Sequence, residues 1–132
     1  MKSFQVQTQT RNQLVDITAQ VQEALRELGA TDGVCTVFCP HTTAAITINE
    51  NADPDVCRDW LENLNRLVPA HQDYYRHGEG NSDSHVKSSL VGASEQVIVE
   101  NGRLVLGTWQ SIYFAEFDGP RTRKVHVGFI KS

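Results

Sequence analysis

The sequence predicts a single α+β domain, a mainly antiparallel sheet or sandwich carrying a few helices. Two observations predict the class. Short runs with strand character outnumber helical ones, and Asn101-Gly102 separates two apolar runs, the strongest short-range hairpin signal. A third observation predicts one domain: the 132 residues contain no repeat, linker or low-complexity tract and suffice to bury a core without disulfide or metal staples.

The elements follow in order. Phe4 to Thr10 alternates side-chain character with period two, which predicts a strand with one wet face. An amphipathic helix follows: Asp16 or Thr18 caps it, Ile17, Val21, Leu25 and Leu28 recur at helical spacing, and Gly29 supplies a left-handed stop. Val34 to Phe38 is apolar and β-branched on both sides, which predicts a strand buried on both faces that runs to Pro40 and ends before His41. A short strand, Ala45 to Ile48, comes next. Asp53 suits an N-cap and Pro54 the first helical position, with Val56, Trp60, Leu61 and Leu64 as the buried stripe and Pro69 as the stop. A polar loop from Ala70 to Ser84 leads to a short helix, His85 to Val91, capped by Ser82, Asp83 or Ser84. The remainder is β: Gln96 to Glu100, Arg103 to Gly107, Trp109 to Phe117, an Asp118-to-Arg121 turn, and Lys124 to Ile130.

Composition excludes several roles. The net charge of -4 argues against nucleic acid, although Arg121, Arg123 and Lys124 form a basic cluster suited to small anions. No segment approaches the roughly 20 apolar residues of a membrane span, and the first residues carry no apolar leader block, so a cytoplasmic protein without membrane partners is expected. The three cysteines, Cys35, Cys39 and Cys57, include no CxxC pair and suit a reducing compartment. Cys35 and Cys39 on one strand stand about 13 Å apart, beyond disulfide reach, and are expected to be core thiols.

The chemistry concentrates in His77-Gly78-Glu79-Gly80-Asn81-Ser82-Asp83-Ser84-His85, nine residues with two imidazoles, two carboxylates and an amide. Its glycines let the backbone fold back, and its nitrogens and oxygens can converge on a metal or a reacting group. Three further motifs accompany it: His41-Thr42-Thr43-Ala44-Ala45-Ile46-Thr47-Ile48-Asn49-Glu50, Leu106-Gly107-Thr108-Trp109-Gln110, and Phe117-Asp118-Gly119-Pro120-Arg121. Together, in this order, they resemble the YjbQ family over essentially the whole chain. The resemblance implies a small α+β homotrimer with a secondary thiamine-phosphate synthase activity, which joins hydroxymethylpyrimidine pyrophosphate to thiazole phosphate and releases pyrophosphate.

Departure of pyrophosphate demands charge neutralisation, by a divalent metal and by Arg or Lys. His41, His77 and His85 are the candidate metal ligands, a set that suits zinc. If magnesium is the working ion, Glu50, Glu79 and Asp83 are the carboxylates to supply oxygen. Those three acids and Gln110, an inward-facing amide on a strand, are the candidate catalytic groups. Arg121 and Arg123 can grip phosphate in bidentate fashion, with Lys87 as a point charge; Thr42, Thr43, Asn49 and Asn81 complete the expected substrate contacts. His71 and His126 fall outside the motifs and are expected to be non-catalytic, and Trp109 is expected in the core or a trimer contact. Two alternatives stand beside the synthase. One is metal-assisted hydrolysis of a phosphate ester or amide, with Glu79 or Asp83 taking the proton. The other is a non-catalytic trimer that binds a phosphorylated metabolite or a metal.

Overall fold

Antiparallel pairing organises the chain into two sheets in the computed structural model, which describes residues 1–132. The order is β1 (Lys2–Gln7), β2 (Gln13–Asp16), α1 (Thr18–Glu27), β3 (Gly33–Phe38), β4 (Ala44–Glu50), α2 (Pro54–Leu67), α3 (Ser82–Val91), β5 (Ser94–Glu100), β6 (Arg103–Leu104), β7 (Gln110–Glu116) and β8 (Thr122–Lys131). A five-stranded sheet runs β1-β8-β3-β5-β6, and a three-stranded sheet runs β2-β7-β4. The α+β class and the antiparallel sandwich are as expected.

A core of 16 buried residues joins the inner faces of the sheets to α1, which contributes Val21, Ala24 and Leu25. Alternation decides which side chains enter it. Ile46, Ile112 and Phe114 face this core, while Ala45 and Ala115 face the opposite side of the small sheet, where Trp60 and Leu64 of α2 and Val91 of α3 cover them. Trp60 stacks on Phe117 with ring centroids 6.4 Å apart. Both later helices thus cover one sheet, and the outer face of the five-stranded sheet is left bare.

That bare face corrects the expectation for β3. Cys35 and Val37 are buried, but Val34 and Phe38 are exposed, because no element packs over their side of the sheet. Phe38 stacks on the imidazole of His126 with ring centroids 6.3 Å apart, and that ring also shares a hydrogen bond with Ser3. Burial pushes the Cys35 and Cys39 thiols up to about 11, so both stay protonated as small core groups, and all three cysteines are unpaired. Trp109 is exposed rather than in the core.

Local signals set most boundaries. Asp53 caps α2 by accepting from the Asp55 N–H at 2.9 Å, and Pro54 opens it. Asp16 accepts from the Thr18 N–H at 3.0 Å, and Gly29 stops α1 at φ +66°. Asn101 and Gly102 both take positive φ, the mirror-image turn that matches strand twist in the β5–β6 hairpin. Several strand ends shift by a few residues, β6 stopping at Leu104 rather than Gly107, and two differences are larger. The first strand ends at Gln7, and Gln13–Asp16 forms β2 on the other sheet. Helix α3 begins at Ser82, one turn early, with Asn81 in the cap position. The Ser-Asp-Ser run enters the helix because tertiary partners hold it: Ser84 donates to the Phe117 carbonyl at 2.6 Å, and Arg11 grips Asp83.

Candidate functional site

Three chain segments meet at one end of the sandwich: the exit of β3 (Pro40 to Thr43), the return of the polar loop into α3 (His77 to His85), and the connection of β7 to β8 (Asp118 to Arg123). They enclose a cavity of about 420 Å³ whose lining includes no hydrophobic residue. His41, Thr42, Thr43, His77, Glu79, Asn81, His85, Arg121 and Arg123 are among its walls, so nine of the expected site residues converge there.

The cationic wall is locked from behind. Glu116, fully buried at the end of β7, accepts from Arg123 through both carboxylate oxygens, from the Thr8 hydroxyl at 2.9 Å and from the Asp118 N–H at 2.9 Å. Arg123 also donates through Nη2 to the Thr43 hydroxyl at 2.9 Å, while its Nη1 has no partner in the chain. Arg121 donates through Nε and Nη2 to Asp118, each at 3.0 Å, and leaves its own Nη1 free. Two guanidinium edges are therefore held in place at a polar cavity, an arrangement suited to phosphate oxygens.

The histidines divide into two kinds. His77 and His85 lie with ring centroids 5.3 Å apart and planes at 87°, and Glu79 approaches His77 Nε2 at 4.0 Å. His41 is committed elsewhere. Its Nε2 accepts the Lys124 backbone N–H at 2.9 Å, and burial, helped by Arg123, pushes the imidazole below its ordinary value. The neutral ring with an accepting Nε2 carries its proton on Nδ1, so His41 is a donor to any ligand in the cavity. The three-imidazole set therefore does not fit a metal as arranged, and no three His, Cys, Asp or Glu side chains converge closely enough to hold one.

Other expected residues lie elsewhere. Asp83 and Lys87 are buried on the inner side of α3: Asp83 accepts a bidentate pair from Arg11, each at 2.9 Å, and Lys87 donates to Asn65 at 2.6 Å and to Asp83 at 3.3 Å. Burial raises the Asp83 carboxyl, but Arg11 and Lys87 outweigh it and hold it below the ordinary carboxylate range; burial pushes Lys87 down. A closed ion network of this kind has no free valence for phosphate or for proton transfer, so of the two expected bases only Glu79 faces the cavity. Asn49, Glu50 and Gln110 sit at the far end of β4 and its partner β7, about 20 Å along the strand from Ala44. There Asn49 accepts from the Glu50 N–H at 2.8 Å, Gln110 accepts from the Gly107 N–H at 2.8 Å, and the Glu50 carbonyl accepts from Tyr113. These are turn and strand-end bonds. His71 stands outside the cavity walls.

Sequence reasoning missed Glu116 and Asp118, the two carboxylates that hold the arginines. A signal existed for Glu116: it is an acid inside the apolar run from Ile112 to Phe117, and a buried charge requires a partner. Asp118 was legible only as a turn residue.

The profile described as "UPF0047 protein YjbQ-like" matches residues 2–132. The UPF0047 protein YugU of Bacillus subtilis is 55% identical over 127 residues, covering 96% of this chain and 96% of that protein. The UPF0047 protein MJ1081 of Methanocaldococcus jannaschii is 50% identical, covering 96% and 91%. Among solved structures, a YjbQ/UPF0047 protein of Clostridium acetobutylicum superposes with a TM-score of 0.95 at 57% identity over 98% of this chain and all 100% of its own. A conserved hypothetical protein of Thermus thermophilus superposes with a TM-score of 0.92 at 42% identity, covering 98% and 100%.

Proposed function

This chain belongs to the YjbQ-like UPF0047 family, and from that membership together with the cavity we propose that the protein binds a phosphorylated small molecule and assists departure of its pyrophosphate. One observation carries the reading: a predominantly polar cavity presents the unpartnered Nη1 edges of Arg121 and Arg123, each guanidinium oriented by a carboxylate behind it. The His41 Nδ1–H and the Thr42 hydroxyl add neutral donors on the same walls. In the secondary thiamine-phosphate synthase reaction, the thiazole nitrogen bonds to the methylene carbon of the pyrimidine as the carbon–oxygen bond breaks, and the electron pair leaves on pyrophosphate. Arg123, held by the buried Glu116, would meet that growing charge without reorganising, and Arg121 adds its charge from the rim. A bound divalent cation would neutralise the remainder. Three unpaired thiols accord with a cytoplasmic setting, and no helix is long and apolar enough to cross a membrane.

Titration with inorganic pyrophosphate in a calorimeter tests the binding site. The wild type is expected to bind, and Arg121→Ala to weaken binding about tenfold or more, the loss of one charge-assisted contact of about 1.4 kcal/mol. A wild type that ignores pyrophosphate overturns the reading. Incubation with both synthase substrates then tests the reaction, and absence of thiamine phosphate after exhaustive turnover removes the synthase assignment.

The same family resemblance implies a homotrimer, and the bare outer face of the five-stranded sheet supports it. Ile98, Ile130, Phe38 and Val34 are 64%, 72%, 42% and 36% exposed there, and Val34 is the register partner of both isoleucines. The row Ile98-Val34-Ile130, with Phe38 two rows further along the same face, is the kind of surface that a second copy covers. Sedimentation is expected to report a trimer that Ile98→Asp with Ile130→Asp converts to monomer. A wild-type monomer at micromolar concentration contradicts the assembly.

A further inference from the structure

We propose that the cavity contains a cation subsite formed by His77, His85 and the side-chain oxygen of Asn81, and that His41 serves the anion instead. The inference rests on the reading of the cavity as a phosphate site and assigns its second half.

Asn81 carries the argument. It occupies the N-cap of α3, where Asn usually bonds the first free N–H groups, yet its side chain makes no cap bond. The residue is only 8% exposed. Its amide nitrogen donates to Asp118 Oδ2 at 2.7 Å, and a carboxylate that also accepts from Arg121 can only accept, so the orientation of the amide is determined. The oxygen is then left as the one buried side-chain polar atom without a partner in the chain. A buried acceptor with nothing to accept is unfavourable, and a cation at the cavity wall removes the deficit.

The neighbours supply the rest of a donor set. His85 follows Asn81 by four residues, so the two side chains share a face at the start of α3. Gly80, at φ +73°, turns the chain so that its N–H bonds the His77 carbonyl at 3.2 Å, which returns His77 beside His85. Their perpendicular rings, 5.3 Å apart, allow one nitrogen from each to approach a single ion at about 2.0–2.1 Å after a small rotation. Glu79, 4.0 Å from His77, contributes negative charge at the rim. Two imidazoles with an amide oxygen suit zinc or a neighbouring transition ion and not magnesium. His41 stays outside the set because its lone pair is taken by the Lys124 N–H.

Zinc ion alone, titrated into metal-free protein, separates the roles. His77→Ala and His85→Ala are expected to lose zinc binding by about a hundredfold, and Asn81→Ala by about tenfold. His41→Ala is expected to retain zinc and lose pyrophosphate. The proposal fails if the wild type takes no zinc, if His41→Ala loses zinc as fully as His77→Ala, or if Asn81→Ala leaves zinc affinity unchanged. Should Asn81→Ala not fold, ring-nitrogen NMR of the wild type asks the same question. Zinc must then shift His77 and His85 and spare His41 Nε2; a shift at all three histidines overturns the assignment. Loss of pyrophosphate binding in a wild type that still takes zinc sinks only the phosphate reading.

Discussion

Glu116→Ala is expected to destabilise the domain by about 3–5 kcal/mol, because it strands the buried Arg123 guanidinium without its counter-charge. The same change frees the Asp118 N–H and the Thr8 hydroxyl, so the β7–β8 connection that shapes the cavity loses its anchor. Urea denaturation reads the loss as a lower midpoint, and pyrophosphate titration of whatever remains folded is expected to show weaker binding. Replacing both partners by apolar residues, Glu116→Leu with Arg123→Met, is expected to recover much of the stability and none of the binding, since no charge is then left unpaired and no guanidinium faces the cavity. A loss below about 1 kcal/mol in Glu116→Ala contradicts the buried-pair account, because exposed pairs alone are worth that little.

Asp83→Asn is expected to cost about 3 kcal/mol at neutral pH, for the complementary reason: Lys87, 1% exposed, loses its buried counter-ion while Arg11 relaxes toward solvent. The pH dependence follows from the direction of the Asp83 shift. Its carboxyl is held below the ordinary value in the folded state, so its contribution is present above the unfolded value of about 3.9 and disappears as pH falls through the folded one. Thermal melts from pH 7 down to pH 2 are expected to fall steeply below about pH 4 in the wild type and more gently in Asp83→Asn. Parallel curves would mean that Asp83 plays no part in acid unfolding.

Both predictions concern residues whose roles differed in legibility. The ends of helix α2 were readable almost to the residue, because Asp53-Pro54 and Pro69 act within a few positions of themselves, but its stripe of Val56, Trp60, Leu61 and Leu64, expected to be buried, is only half-buried. The Asn101-Gly102 hairpin was readable for the same reason: positive φ at two successive residues is a property of those residues. The start of α3 was not, since Ser82, Asp83 and Ser84 have the chemistry of caps and become helical only through Phe117 and Arg11. Nor was the bare side of β3, since an apolar strand records that a face will be covered without saying by what.

The candidate site divides along the same line. Composition and motif order were enough to bring His41, His77, His85, Thr42, Thr43, Asn81, Arg121 and Arg123 into one hypothesis, and they line one cavity. Asp83 and Lys87 looked equally available, one inside the polar loop and one a turn beyond it. Helical periodicity turned both inward, Asp83 to Arg11, 72 positions away, and Lys87 to Asn65 and Asp83.

The order of residues alone therefore determined the α+β class, the cap of α2, the hairpin and the list of groups able to do chemistry, because each depends on backbone preferences and short-range periodicity. Only the tertiary structure decided which groups remain free. The His41 lone pair is spent on a strand 83 positions away, the Arg123 fork is half taken by Glu116, and the Asn81 oxygen is left unpaired by the Asp118 turn. A side chain's chemistry is set by the partners that remain to it, and those partners are distributed by folding.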